Sequence, residues 1–361
     1  MSRREDTSAA RFDERDTMFA RAAREPGTAQ YDEYYDGREE LRAIDDKIRA
    51  LPLLFEPGGR YHDHALCEEA QRYFDLIQSI DVDEALVESW SERLAGGAET
   101  SSTLKAMALS LGAVAAGCCR VEERFLYSHK GRLDHDFGEP IDASEHAHAL
   151  VFLVEMDHDA MQRAPRARVV VESAREYHRA AVISKTISAT LRAVGKRAYA
   201  HYDAHYAAIM PPLAVAAGLG ELGRNNILVA DRFGARVRIG AVTTDLHLEP
   251  DNARSLGVGA FCQACKKCSE SCPTGSLSNE EPELVDGSVK WSTRVETCYA
   301  YWRRIGTDCG ICMAVCPFSH ADNWFHNFVR GLVRRFPSLA RAAVLGDDAV
   351  YGRRWENRRK R

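Results

Sequence analysis

Residues 1 to 50 are strongly polar, and apolar positions then begin to recur at helical spacing. "LRAIDDKIRALPLLF", "EALVESWSERLAGG" and "TSSTLKAMALSLGAVAAG" each carry an apolar stripe, which predicts a helical N-terminal third. Near the centre the pattern changes. "HALVFLVEM" is a short uninterrupted apolar run that suits a buried strand, and "EYHRAAVISKTISATLRAVG" follows it with Ala180, Ile183, Ile187, Leu191 and Val194 at steps of three and four. Gly195 stands where that helix would stop. A strand followed by a long helix predicts an α/β arrangement. In "NNILVADRFGARVRIGAVTTDL", Val237, Ile239, Ala241 and Thr243 alternate with their neighbours after a turn at "DRFG", which predicts a strand pair.

With 361 residues, 45% of them hydrophobic and 28% charged, the chain can bury a large core in one domain or two smaller ones. A net charge of -5 gives no overall attraction to nucleic acid or to an acidic membrane. The twin arginine Arg3-Arg4 is followed by charged residues where an export signal would be apolar, so a cytoplasmic protein is expected. "MALSLGAVAAGCC" is shorter than the about 18 to 20 apolar residues a membrane span needs, and no span is expected. From Arg330 onward ten Arg/Lys face three Asp/Glu, a local balance of 10 − 3 = +7. Such a tail reads as a solvated helix and frayed end, or as a docking surface for an acidic electron donor.

Eight of the 11 cysteines form one ordered pattern; Cys67, Cys118 and Cys119 lack ligand spacing, lie in helix-like sequence and read as packing residues. Cys262, Cys265 and Cys268 are followed by Cys272-Pro273, and Cys309 and Cys312 by Cys316-Pro317. In two-cluster ferredoxins the cysteine before each proline ligates the other cluster. That rule assigns Cys262, Cys265, Cys268 and Cys316 to one 4Fe-4S cluster, and Cys309, Cys312 and Cys272 to a second, with Cys298 as its fourth ligand. Structural zinc does not call for interleaved motifs of this kind. Two clusters in series suggest a wire from a surface donor to an internal acceptor. "GLGELG", residues 218 to 223, matches the dinucleotide fingerprint, yet helix-like sequence precedes it and strand-like sequence follows, the reverse of what that fold needs. Its glycines then serve another close backbone approach.

"LAVAAGLGELGRNNILVADRFGARVRIGAVTTDLHL", "FCQACKKCSESCP" and "CYAYWRRIGTDCGICMAVCPFSH" together resemble the corrinoid-dependent reductive dehalogenases and, more distantly, the epoxyqueuosine reductases. "FLYSHKGR" and "VFLVEMDHDAM" extend the resemblance, which covers residues 120 to 330. It implies a mixed α/β (α+β) protein: a helical region over 1–110, a nitroreductase-like corrinoid-binding core over 111–257, a two-cluster ferredoxin module over 258–330 and a basic tail over 331–361. It also implies cobalamin held base-off, with Gly218, Leu219, Gly220, Gly223, Arg224 and Asn225 against the corrin. Asp245-Leu246-His247 begins like the D-x-H-x-x-G cobalt motif, but Pro250 replaces its glycine, so His247 is read as a strand-end residue.

Reductive dehalogenation replaces carbon–halogen by carbon–hydrogen and consumes two electrons and one proton; in the family the acid is a tyrosine helped by a basic residue. "RAYAHYDAHYAAI" offers Tyr199, Tyr202 and Tyr206. If the segment is extended, Tyr202 and Tyr206 share a face. Tyr206 is the first candidate acid and Tyr202 the second, with Arg224 and Lys196 the nearest cations in sequence to stabilise phenolate. Each tyrosine also suits a plain amphipathic wall. Epoxyqueuosine reductases use an aspartate in this interval, for which Asp203 is the match, but their tRNA substrate wants a basic surface that only the tail offers. A non-catalytic electron carrier would leave the glycine turn and the tyrosines unexplained. The sequence therefore points to a cytoplasmic corrinoid and iron–sulfur reductase with a small-molecule substrate and a separate low-potential donor of the ferredoxin or flavodoxin type.

Overall fold

The computed structural model describes residues 11–96, 99–285 and 288–355, so Arg3, Arg4 and the last basic residues of the tail lie outside the described residues. Six helices come first: α1 (Met18–Ala23), α2 (Ala29–Tyr35), α3 (Glu39–Arg49), α4 (His64–Gln78), α5 (Glu84–Ala95) and α6 (Thr100–Ser110). The carboxylates of Asp63 and Asp83 accept N–H bonds from the first turns of α4 and α5, which fixes where these helices begin. The apolar stretch after α6 turns into strand β1 (Ala115–Arg120), so Cys118 and Cys119, expected in helix, are strand residues. All three non-motif cysteines are buried.

The run predicted as a buried strand is β2 (His148–Glu155), and the short α7 (His158–Met161) leads into the 26-residue α8 (Arg168–Ala193), which starts well before its most periodic part. β3 (Ala198–His201), α9 (Met210–Ala216), β4 (Gly220–Leu222), β5 (Leu228–Ala230) and β6 (Val237–Thr244) complete the core. Strands β1, β2, β6 and β3 form one sheet in that order, every neighbouring pair antiparallel, so the strand–helix succession does not build a parallel sheet. β2 is apolar from Ala149 to Val154 because both faces of the sheet are covered. Leu150, Phe152 and Val154 meet Ala180, Ile183, Ile187 and Leu191 of α8, while Val151 and Leu153 meet Leu213 and Ala214 of α9.

The predicted pairing of β5 with β6 is not formed. β5 pairs with β4, and β6 crosses into the main sheet. Gly234, at φ 58°, makes the sharp turn between them; a Cβ there would lie 2.3 Å from the Phe318 carbonyl group. β3 pairs only with Ala241–Thr244, leaving the first half of β6 bonded to β2 alone. That open edge is where the candidate site lies.

The cysteine region contributes α10 (Val258–Cys265), α11 (Lys267–Glu270), the hairpin β7 (Glu283–Val285) and β8 (Ser288–Lys290), α12 (Val295–Ile305) and α13 (Ile311–Ala314). Two further helices, α14 (Trp324–Arg335) and α15 (Ala340–Tyr351), close the described chain, so the expected boundary at 330/331 falls inside α14. α14 and α15 pack back onto α10: Val333, Ala340 and Val344 share a core with Phe261, Cys265 and Phe318.

The glycine turn is explained by the protein itself. Gly218 has φ 74°, and a Cβ there would approach the Asn252 carbonyl oxygen to 2.5 Å. Gly218→Ala should therefore destabilise the fold by about 2–5 kcal/mol, from left-handed backbone strain and overpacking together, seen as a lower urea midpoint at unchanged slope.

Candidate functional site

Left-handed residues Lys266 and Gly310 reverse the chain between ligand-spaced cysteines, which is how short gaps bring successive thiols to one place. Among the described residues no three Cys, His, Asp or Glu side chains close on a single ion. A cubane does not ask for that, because its thiolates bind four separate irons. The eight thiols instead lie close enough to act electrostatically on one another: Cys262, Cys265 and Cys316 together, Cys272, Cys298, Cys309 and Cys312 together, and Cys268 with Cys312 first and then with Cys316, Cys262 and Cys265. Cys316 also acts on Cys312. Burial pushes the Cys262, Cys265 and Cys312 thiols up to about 12. Donors oppose it: Cys265, Cys272, Cys309 and Cys316 each accept the backbone N–H two residues on. At Cys272 burial is outweighed by the Thr274 hydroxyl and the N–H groups of Thr274, Leu277 and Ser276, and its thiol lies below the ordinary range. Buried thiols with aligned N–H donors fit anionic ligands of a metal cluster.

The second feature is a hollow at the open edge of β6. Tyr177 of α8 and Arg238 of β6 meet there: Arg238 donates to the Tyr177 hydroxyl at 3.2 Å, and its guanidinium lies 4.5 Å from the ring centroid. Arg238 also donates to Ser173 Oγ at 2.5 Å and stands 3.5 Å from Asp308, whose carboxylate accepts the Ser173 hydroxyl at 2.5 Å. Tyr206, Asp203 and Arg132 exert charge on the same group. Burial dominates the ionisation of Tyr177, Tyr206, Arg132, Arg238 and Asp308. Even so, Arg238 keeps 18% and Asp308 12% of its side-chain surface, and Tyr177, Tyr206 and Arg132 are only half-buried. Groups that are desolvated yet accessible line an internal hollow.

Burial holds both tyrosines above the usual phenol range; Arg238 counters it at Tyr177. Burial opposes the Arg238 charge, but Tyr177 and Asp308 beside it hold the guanidinium firmly protonated. Buried Arg238 Nε has no hydrogen-bond partner. The apolar side chains Val215, Ala216, Leu219, Phe233 and Ile239 remain incompletely covered on the α9 face of the sheet. An unpartnered donor at the open edge of β6 fits a bound group that carries polar substituents.

The tyrosine segment is not extended beyond His201. Tyr202 and His205 close a tight turn through Ala204 at φ 61°, which sends Tyr202 and Tyr206 in different directions. Tyr206 enters the hollow; Tyr202 stacks on His205 at 5.0 Å and lies under Lys185. Neither predicted cation joins Tyr206. Lys196 is exposed, and Arg224 is buried among the carbonyl oxygens of Cys262, Ser278 and Glu280. Gly220 and Gly223 abut β5 and its approach, whereas Leu219 is half-buried on the α9 face and the Asn225 side chain reaches Cys312. His247 is exposed at the other end of β6, edge-on to His148. Sequence reasoning missed Tyr177, Arg238, Ser173, Asp308 and Arg132. The available signal was a charged residue inside the alternating apolar strand 237–243, and a tyrosine on the same helical face as Ala180 and Ala181.

The fold and the cysteine groups define a mixed helix-and-sheet protein with a ferredoxin-like module: a 4Fe-4S dicluster domain matches residues 261–320. Tetrachloroethene reductive dehalogenase of Desulfitobacterium hafniense is 30% identical over 316 residues, 75% of this chain and 57% of the relative. Epoxyqueuosine reductase of Lactococcus garvieae is 29% identical over 116 residues, 31% of this chain and 32% of the relative. Among solved structures, the catabolic reductive dehalogenase NpRdhA superposes with a TM-score of 0.72 at 24% identity, covering 95% of this chain and 46% of that one. A reductive dehalogenase whose structure bears on B12-dependent dehalogenation gives 0.68 at 25% identity, covering 85% and 46%. The chain is thus a homologue of the reductive dehalogenases and shares their fold, and it spans about half the length of the proteins it matches most extensively. No described helix is long and apolar enough to cross a membrane.

Around the tyrosine turn, burial and then nearby Lys130 push His146 and His205 down to about 4 from 6.5. Stability from these neutral rings is present above pH 6.5 and is lost as pH falls towards 4, because the unfolded chain takes up the protons first. His205→Phe should therefore narrow the drop in unfolding free energy between about pH 7 and about pH 5, measured by urea titration at both.

Proposed function

We propose that this protein is a corrinoid- and iron–sulfur-dependent reductase that replaces carbon–halogen by carbon–hydrogen in a small organic molecule, or reduces a related one. The observation that carries this reading is the Arg238–Tyr177 contact inside a hollow that also touches Asp308, the residue before Cys309. Homology to the dehalogenases and the dicluster match support the cofactor set. The two cysteine quartets would each hold a 4Fe-4S cluster, in the division the ferredoxin rule assigns. Leu219, Asn225 and the unpartnered Nε of Arg238 would face a corrinoid bound base-off, with Gly218, Gly220, Gly223 and Arg224 shaping the backbone behind them. When bound and reduced, a corrinoid supplies a strong nucleophile or electron donor. A cytoplasmic setting goes with this reading and suits the eleven unpaired cysteines.

This chain's own part is to hold and deliver one proton. A phenol with an ordinary pKa of about 10 is a weak acid that keeps its proton at neutral pH, and burial raises Tyr177 further. Arg238, hydrogen-bonded to the oxygen, stabilises the phenolate left after transfer, while Ser173 and Asp308 fix the guanidinium. Tyr206 stands in the same hollow as the alternative donor. Asp203 stands there as well and keeps an epoxyqueuosine-type acid open as a second reading, though among the described residues it forms no ion pair.

Anaerobic reconstitution with iron, sulfide and cobalamin should yield about eight irons and one cobalt per chain. Iron without retained cobalt would sink the corrinoid mechanism. In a screen beginning with tetrachloroethene, Tyr177→Phe should lower turnover by about 10²–10⁴-fold at unchanged iron and cobalt content. Unchanged turnover would transfer the acid role to Tyr206, tested in turn by Tyr206→Phe.

A further inference from the structure

The α14–α15 hairpin is anchored at the ligand loop and bare on its outer side. Lys267, between Cys265 and Cys268, is buried in an ion pair with Asp347 and Asp348 of α15. Arg353, just beyond α15, pairs with Glu270 of α11, and Arg330 of α14 donates to the carbonyl oxygens of Phe318 and His320. The inner faces of both helices bury Val333 and Val344 beside Cys265, with Cys262 and Cys316 at the edge of the same cluster. One layer of helix therefore separates the first cysteine quartet from solvent.

The outer face has the opposite character. Trp324 is 81% exposed, Phe328 58% and Leu345 69%, and Phe336 is exposed between the two helices. Arg335 follows Trp324 and Phe328 by about three and two turns on one helical face, and Arg341 lies in the first turn of α15; both are exposed, and their side chains form no hydrogen bond or ion pair among the described residues. Several large apolar side chains exposed on one helix pair are uncommon on a protein that meets nothing. Trp, Phe and Arg with few lysines and carboxylates is the composition of a protein-binding surface rather than of a solvated helix.

We infer that this face docks an acidic one-electron carrier protein, which delivers electrons to the Cys262, Cys265, Cys268 and Cys316 quartet. The inference rests on the proposed function and names the surface that function uses. Unpaired arginines among the aromatics match a carrier with a carboxylate rim, and the quartet lies directly beneath. The second quartet adjoins the hollow through Asp308 and Asn225, which sets the direction of flow inward. In each transfer one reduced carrier is oxidised and one cluster is reduced. Two transfers with one proton convert a carbon–halogen bond to carbon–hydrogen and release halide.

The test uses the full chain reconstituted with iron and sulfide, a reduced acidic plant-type [2Fe-2S] ferredoxin as probe, and titanium(III) citrate as a small reductant that needs no docking surface. Ferredoxin binding by calorimetry and cluster bleaching by stopped flow are measured on one preparation. Wild-type binding should weaken steeply with salt. Trp324→Ser/Phe328→Ser and Arg335→Glu/Arg341→Glu should each weaken binding and slow ferredoxin reduction by about 10- to 100-fold, with iron content and the titanium rate unchanged. Wild-type rates in both variants would overturn the inference. So would binding of the wild type to phosphatidylglycerol vesicles, or a dimer that the variants dissociate, with no change in the ferredoxin reaction. A preparation that binds ferredoxin through this face but retains no iron would sink the proposed function and leave the docking surface standing.

Discussion

A guanidinium carried into the interior on a β-strand is the constraint on which the arrangement of this protein depends. A buried arginine costs several kcal/mol unless its charge and its donors are matched. Arg238 finds matches on two other parts of the chain: Tyr177 and Ser173 on α8, and Asp308 at the edge of the cysteine module. The sheet, the long helix and the module must therefore come together correctly at one point, or the charge is stranded. The same contact places a cation on the hydroxyl of Tyr177.

The module itself has little regular structure to hold it. Among the described residues its only strands are a three-residue pair, and its helices are mostly short. Buried arginines compensate by binding backbone carbonyl groups that no ladder satisfies. Arg224 holds the oxygens of Cys262, Ser278 and Glu280; Arg236 holds those of Ser319 and Met156; Arg303 holds those of Leu51 and Pro52. A delocalised fork with five donors suits this task, because it can serve several irregular carbonyls at once. Arg224, which sequence proximity suggested as a partner for a tyrosine, is instead one of these ties. Arg303 extends them to the N-terminal helices, whose link to α12 also includes the Arg21–Glu296 pair.

Strong local periodicity was legible without a structure. The run at 148–155 is β2 because no polar residue interrupts it, and the spacing of Ala180, Ile183, Ile187 and Leu191 places α8. Short elements were harder. Cys118 and Cys119 follow a helical stretch with no turn signal beyond Gly112, and β5 is read as the hairpin partner of β6 unless one knows that Phe318 closes against Gly234. The tyrosine segment failed for a similar reason: alternation predicts a shared face only while the backbone stays extended, and Ala204 in the left-handed region ends that.

What the sequence by itself determined is the cysteine chemistry, since ligand spacing is a local property and two interleaved proline-terminated motifs have few other uses. It also determined the buried strand, the long helix and the resemblance to the dehalogenases. Only the tertiary structure decided that Tyr177 meets Arg238 and Tyr199 meets Lys130, that the glycine turn is shaped by Asn252 and β5, and that the aromatic face of α14 looks outward. Tyr177 and Arg238 are 61 residues apart, and their contact follows from how α8 crosses the sheet. Nothing in the local pattern of either residue specifies that crossing.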